Sequence, residues 1–329
     1  KLWIADKHTG IPQPNESSPF KKTFNPTSFE DCPRKYYLTK IAGVQQIQRA
    51  IYFEYGTAIH EAVSTFYYLR EKSPEEILAT NPEFFNTAQS NAMQIDGSLS
   101  DSHHLAKAAA IAAFVEVWNQ ANHMGDSKRS LPGGIQTISA YCDTYKDDTS
   151  IYDLNFIETP QWITMPNGTQ LGGVIDRVKK EGKYIAVVDT KTSSMALTPW
   201  FFKQFDTSFQ MSCYYYFIKE IFGYCTNIEI DGIKVPFNEK ATEKSPNFAR
   251  YNTDRTELQI SEFLNSYDKM TNEICDNLAQ PKELWPELFY QKTSRCGDYG
   301  GCMYKNICAY GLEHPAIKTE FEIVPVKED

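Results

Sequence analysis

The chain has 329 residues, 41% hydrophobic and 14% aromatic, enough apolar material for a sizeable core in one large domain or two smaller ones. A charged fraction of 23% excludes a disordered chain, and the longest apolar run, Ala108 to Val115, falls short of the roughly 20 residues of a bilayer span. The net charge of −9 argues weakly against phosphate binding, although residues 1–50 carry eight Lys/Arg against four Asp/Glu and local patches can reverse the sign.

The short apolar runs predict a soluble protein, expected in the cytoplasm; in chain order, "KLWIADKHTG" at the start holds no apolar signal core, and without an initial methionine a removed leader stays open. "NPTSFEDCPRKYYLTKI" reads as a helix start, with Thr27 or Ser28 as cap and Glu30 and Asp31 in the first turn. "EYGTAIHEAVSTFYYLR" is a second helix, with Ala58, Ala62, Phe66 and Leu69 on one face. "SHHLAKAAAIAAFVEVWNQAN" is a third, alanine-rich helix, which "SLPGGIQ" is expected to break. From "LNFIETP" to "VVDTKTSS" the period changes to that of strands, with turns at "PNG" and "KEGK" where glycine supplies positive φ. One long amphipathic helix is expected over 199–222, then a strand in "NIEIDGIKVPF" and a last helix in "TELQISEFLNSYDKMTNEICDNL". The C-terminal segment reads as loop. This order predicts an α+β (mixed α/β) fold around one central mixed sheet flanked by helices.

The strand "YIAVVDTKTSS" raises a chemical question, because a core strand carries Asp189 and Lys191 on the face of Ile185 and Val187. In "GGVIDRV", Gly172, Val174 and Asp176 share a face in the same way. With "KEGK" as the turn, Asp176 and Asp189 reach the same open end of the pair. Two adjacent carboxylates repel unless a cation intervenes, and Mg²⁺ or Mn²⁺ takes such oxygen ligands. The Thr190 carbonyl offers one more oxygen, and Lys191 stands where it can orient a nucleophile or offset transition-state charge. By itself an Asp-x-Lys triplet is more often an exposed salt bridge. His60 on the second helix adds an imidazole that suits Mn²⁺-type ions, although a lone helical histidine is usually structural. Glu158 lies one strand back, and Gln210 and Tyr214, four apart, project from one helix face.

These residues resemble, in order, the motifs of the RecB-like branch of the PD-(D/E)XK nuclease superfamily. "GTAIH" (Gly56 to His60) is similar to its GxxxH helix, and "GVIDR" (Gly173 to Arg177) to its GxxDR strand. "VDTKT" (Val188 to Thr192) matches its (V/I)DxKT strand, and "QMSCY" (Gln210 to Tyr214) its QxxxY helix. The resemblance implies a restriction-endonuclease-like core and metal-dependent hydrolysis of DNA, exonucleolytic, in recombination, repair or phage DNA metabolism. It implies His60, Asp176, Asp189 and Thr190 as metal ligands, Lys191 as the catalytic lysine, and Gln210 and Tyr214 as shaping the site or touching DNA. Glu158 is expected to support the ligands from behind. Asp189 stands where the family often has Glu.

The resemblance extends to cysteines. RecB-like nucleases can hold an iron–sulfur cluster with one early and three late thiolates. Here Cys32 in "EDCPRKYY" and Cys296, Cys302 and Cys308 in "CGDYGGCMYKNIC" occupy those places, the late three spaced C-x5-C-x5-C. Four thiolates suit a 4Fe–4S cluster or tetrahedral zinc, and free thiols are the third alternative. The implied organisation is one nuclease domain over 1–329, with 1–50 and 285–329 as cluster-binding ends, 51–150 as a helical insertion or cap and 151–284 as the nuclease core. Implied partners are DNA, single-stranded or with a free end, and a helicase or recombination protein, because no phosphate-loop motif is present here. Arg34, Lys35, Lys203, Lys292, Arg295 and Lys305 are candidate phosphate contacts, and Trp200, Phe201, Tyr299 and Tyr304 candidate base stackers. A silent nuclease-like DNA-binding or assembly module is the alternative from another class, and a zinc-stapled RNA-binding protein is a third.

Overall fold

The computed structural model describes residues 23–24, 27–70, 72–73, 75–76, 102–121, 123, 125–297 and 301–324. In chain order the elements are β1 (Thr23–Phe24), α1 (Thr27–Asp31), α2 (Pro33–Tyr36), β2 (Val44–Gln46), α3 (Ile51–Arg70), α4 (Ser102–Gln120), α5 (Leu131–Thr144), β3 (Thr159–Thr164), β4 (Gln170–Ile175) and β5 (Arg177–Glu181). They continue with β6 (Tyr184–Ser193), α6 (Pro199–Lys203), α7 (Phe209–Phe222), β7 (Asn227–Lys234), β8 (Phe248–Thr253), α8 (Glu257–Leu278), α9 (Trp285–Leu288), α10 (Lys305–Tyr310), α11 (Pro315–Lys318) and β9 (Phe321–Ile323). Two compact units emerge: one from the described residues of Ala50–Gln161 and Val174–Thr256, the other from those of Pro12–Arg49, Trp162–Gly173 and Glu257–Asp329.

In the first unit, α3 buries Ala58, Ala62, Phe66 and Leu69, the face read from the sequence, together with Tyr55, Ile59 and Tyr67. It packs on α4, whose alanines let the two backbones approach while Phe114 and Trp118 fill the gap. Each large apolar side chain so buried contributes about 1.5–3 kcal/mol. The stretch expected as a breaker instead starts α5. The Ser130 hydroxyl accepts from the Gly133 N–H, Pro132 sits in the first turn where no amide partner is needed, and Gly134 leaves room for the Phe114 ring. A Cβ at Gly134 would lie 1.9 Å from that ring.

The helix expected over 199–222 is two helices. Thr198 caps α6, Ser208 caps α7, and Gly223 at φ 83° ends it. Between them, Arg255 donates to the carbonyls of Phe205 and Ser208, so the broken turn has its acceptors satisfied.

Sheets are separate rather than one. The largest runs β5-β6-β7-β8, with β6 parallel to β7 and the other pairs antiparallel. A second has the order β1-β4-β3, and β2 pairs with β9. The "GGVIDRV" segment is not one strand: it breaks at Asp176 into β4 and β5, which join different sheets. The Glu158 N–H donates to the carbonyls of Ile175 and Asp176, taking the acceptors that a continuing ladder would use.

In the second unit, Phe29, Tyr36, Ile274 and Phe289 form one apolar cluster, and Leu38, Val44, Tyr304, Ile307, Ile317 and Phe321 another. Arg34 Nε donates to the Phe289 carbonyl at 2.8 Å, and the Tyr304 hydroxyl to the Val44 carbonyl at 2.9 Å. Early and late segments are therefore joined by packing and hydrogen bonds in their own right. The C-terminal segment, expected as loop, carries α10, α11 and β9, and α10 holds Cys308. No helix among the described residues is long and apolar enough to cross a membrane.

Candidate active site

Helix α3 and the β5–β6 pair deliver the site. Residues Arg177 and Val188 are ladder partners, so the register continued by one residue sets Asp176 opposite Asp189. Tyr184 and Glu181 flank the turn, where Gly182 has φ 56°. At the bend, the Thr190 N–H donates to Asp176 Oδ2 at 2.7 Å, which fixes the carboxylate across the strand pair. From the other side Arg177, fully buried, donates to Thr190 Oγ1 at 3.0 Å and to Asp231 Oδ2 at 2.7 Å. Tyr141 also donates to Asp231, and Tyr67 lies under the Arg177 guanidinium at 4.5 Å. A buried ionic network thus backs the strand that carries Asp189 and Lys191.

One ligand atom from each of His60, Glu158 and Asp176 lies within 4.8 Å of the other two. His60 Nδ1 stands 3.3 Å from Asp176 Oδ2 and 3.6 Å from Glu158 Oε1, and Ser64, one helical turn on, donates to Glu158 Oε1 at 3.3 Å. Glu158 holds φ 47°, a left-handed conformation that a non-glycine residue rarely adopts and that costs about 1–3 kcal/mol. Its two backbone hydrogen bonds to Ile175 and Asp176 hold it there. Asp189 falls outside the 4.8 Å group and pairs with Lys191, Nζ to Oδ2 at 2.8 Å. Lys191 also donates to Gln210 Oε1 at 3.2 Å, and Gln210 Nε2 donates to the Tyr214 hydroxyl at 3.1 Å.

The charges are tightly coupled. Burial pulls the His60 imidazole down, but the Asp176 and Glu158 carboxylates outweigh it and push it up to about 10. Burial pushes Asp176 up, yet His60, Lys191 and the Thr190 N–H bring it down to about 2. Asp189 is raised by burial, with Lys191 opposing and Asp176 reinforcing. Glu158 is raised by burial, with the His60 hydrogen bond opposing. Burial and the two aspartates push the Tyr214 hydroxyl well above its ordinary value, so it stays neutral. Oxygen donors plus one imidazole match the ligand preference of Mg²⁺ or Mn²⁺, and this donor set fits such an ion.

A model of the PD-(D/E)XK nuclease superfamily matches residues 26–309. The chain belongs to the PD-(D/E)XK nuclease superfamily. No curated protein matches it significantly. Among solved structures, one from Eubacterium rectale, named as a candidate exonuclease, aligns over 59% of this chain and 85% of its own at 11% identity and a TM-score of 0.31. A likeness that distant carries no argument here.

This nuclease-superfamily chain brings together His60, Asp176, Asp189, Thr190, Lys191, Gln210 and Tyr214, all expected from the sequence. Glu158 was expected only to support the ligands from behind, yet it stands in the tightest group. Arg177 and Asp231 were given no role. The available signal was an aspartate inside the core strand "NIEIDGIK", where an unpaired charge is prohibitive.

Cys32, Cys296, Cys302 and Cys308 are half-buried, and among the described residues no three of their sulfurs lie within 4.8 Å of one another. Zinc needs thiolates about 3.8 Å apart, from its bond length of about 2.3 Å, so the sulfurs as placed do not make a zinc site. The four still interact: burial raises the Cys308 thiol, Arg34 opposes, and Cys302, Cys32 and Cys296 add to the rise. Several expected nucleic-acid contacts are otherwise engaged. Arg34 is bound to the carbonyls of Phe289 and Pro286, Lys35 to Asp31, and Lys292 to the Glu30 carbonyl. Phe201 and Tyr304 are buried and cannot stack on a base. Lys203, Lys305 and Trp200 are exposed, and Tyr299 lies outside the described residues.

Proposed function

We propose that this superfamily member is a divalent-metal-dependent deoxyribonuclease of the RecB-like branch that acts exonucleolytically on DNA ends. The observation that carries the reading is the convergence of His60, Glu158 and Asp176, with the Asp189–Lys191 pair on the adjoining strand. His60, Asp176, Asp189, the Thr190 carbonyl and Glu158 would hold Mg²⁺ or Mn²⁺. Such an ion supplies charge stabilisation to the phosphate and activation of water.

The remaining chemistry belongs to the side chains. Lys191 is steadied between Asp189 and Gln210, so its ammonium faces a fixed direction and can donate to a phosphate oxygen as charge develops. Tyr214 fixes the amide of Gln210, and Gln210 in turn holds Lys191. Arg177 keeps Thr190, and with it Asp176, in register from behind the sheet.

The iron–sulfur clamp rests on the order of the four cysteines alone, one early and three late, and a cluster of several irons spans a wider thiolate spacing than a single ion does. Purified protein should then contain iron and sulfide and absorb in the visible. A helicase or recombination protein would deliver DNA ends.

Release of nucleotides from linear DNA with Mn²⁺ tests the activity. Wild type should hydrolyse the DNA and Lys191→Ala should not. Equal release by both would overturn the assignment.

A further inference from the structure

We propose that α6 is a base-stacking platform, with Trp200 as its ring and Lys203 as its phosphate partner, that holds an unpaired nucleotide of the strand being cut. The inference rests on the reading of the neighbouring site as a nuclease centre and deepens it by naming the form of substrate it selects.

Gly232 on β7 is the ladder partner of Lys191. Registered partners in a parallel pair turn their side chains to the same face. A Cβ on Gly232 would lie 3.0 Å from the Phe202 ring and 3.2 Å from Leu197 Cδ2. Phe202 and Leu197 therefore plug α6 and the turn before it onto the sheet, on the face and at the level of the catalytic lysine. Phe201 and Phe202 are both buried, and Phe202 stacks on Tyr251 at 5.3 Å, so the helix has a fixed seat.

Trp200 points the other way. At 77% exposure it is the most exposed large hydrophobic side chain among the described residues, and no ring contact or hydrogen bond to it is found among them. A scattered exposed apolar residue is ordinary. Here, however, the helix that carries the indole is seated by two buried rings on the face that carries Asp189 and Lys191, and the indole faces outward. Lys203, three residues on, shares its side of the helix and is also exposed. Asp206, the nearest acid along the chain, is engaged by the Tyr251 hydroxyl at 3.1 Å. An aromatic plane next to an exposed ammonium suits a base and its phosphate, and every base has a face to stack. In a duplex both faces of a base are already covered, so the platform favours unpaired nucleotides.

The test uses the full chain, fluorescein-labelled oligo(dT) and a blunt duplex, with anisotropy read in Ca²⁺. Trp200→Ala should weaken oligo(dT) binding roughly tenfold and leave the duplex within about twofold, while Trp200→Phe keeps most of the affinity. Unlabelled oligo(dT) should quench tryptophan emission more in wild type than in Trp200→Phe. Equal affinity of wild type and Trp200→Ala for oligo(dT), an equal loss on duplex, or no binding by wild type would each overturn the platform. Trp200-dependent binding without hydrolysis would sink the nuclease reading and leave the platform standing. Hydrolysis by wild type with oligo(dT) binding unmoved by Trp200→Ala would do the reverse.

Discussion

The acid–histidine group and the cysteine quartet are both candidate metal sites, yet only the first is assembled to the spacing of a single ion. His60, Glu158 and Asp176 meet within 4.8 Å, whereas no three of the four cysteine sulfurs do so among the described residues. Their supports differ in the same sense. His60 rides a 20-residue helix, while Glu158 and Asp176, at bends beside β3 and β5, are pinned by hydrogen bonds from Ser64 and from the Thr190 N–H. Cys32 precedes a four-residue helix, Cys296 ends a single helical turn, and Cys308 lies on a six-residue helix. A long packed helix and hydrogen-bonded bends pre-position the acid–histidine side chains, whereas the cysteines sit on or beside short helices.

The largest effect that would sharpen this contrast is on hydrolysis. On the proposed role, Lys191→Ala should lower the rate of nucleotide release about 10³-fold, and because it leaves the buried Asp189 carboxylate without its cation the melting temperature should fall as well. Glu158→Ala should raise the Mn²⁺ concentration needed for half-maximal activity about 10–100-fold. Calorimetry should then show Glu158→Gly more stable than Glu158→Ala by about 1 kcal/mol, because only glycine relieves φ 47°.

Protonation gives the next effect. His60 titrates at about 10 in the metal-free fold against 6.5 unfolded, so its stabilisation is complete below about pH 6.5 and is lost as the pH rises through 10. Asp176 titrates at about 2 against 3.8, so its stabilisation holds above about pH 4 and is lost as the pH falls through 2. An ion must displace the His60 proton, so Mn²⁺ affinity should rise about tenfold per pH unit between 7 and 9, and His60→Gln should flatten that slope. Calorimetric titration at several pH values measures both.

The smallest effect on hydrolysis belongs to the quartet. On the proposed clamp, Cys302→Ser should lower the iron content of the purified protein and its melting temperature by roughly 5–10 °C, with hydrolysis at 25 °C within about threefold of wild type. Apolar packing around Phe289 and Tyr304 still joins the two ends of the chain. Loss of all hydrolysis in Cys302→Ser would erase the contrast.

Much of the acid–histidine group was legible because period and order are local properties. Alternation placed Asp189 and Lys191 on one face, and the "KEGK" turn fixed the register that sets Asp176 across from Asp189. Glu158 was undervalued because its left-handed backbone comes from bonds to Ile175 and Asp176, which no local pattern encodes. The Arg177–Asp231–Tyr141 network joins residues far apart in sequence and was invisible for the same reason. "SLPGGIQ" misled because Pro and Gly punctuate helix starts as well as helix ends, and only the Phe114 ring explains Gly134. The quartet's order was legible and its spacing was not, since spacing depends on how short helices fold over one another.

The central claim is that His60, Glu158 and Asp176 hold one divalent ion beside Lys191. Electron paramagnetic resonance of Mn²⁺ titrated into wild type, His60→Ala, Asp176→Asn and Cys302→Ser tests it directly. One bound Mn²⁺ is expected in wild type and in Cys302→Ser, and none in the other two. Undiminished binding in His60→Ala and Asp176→Asn would contradict it.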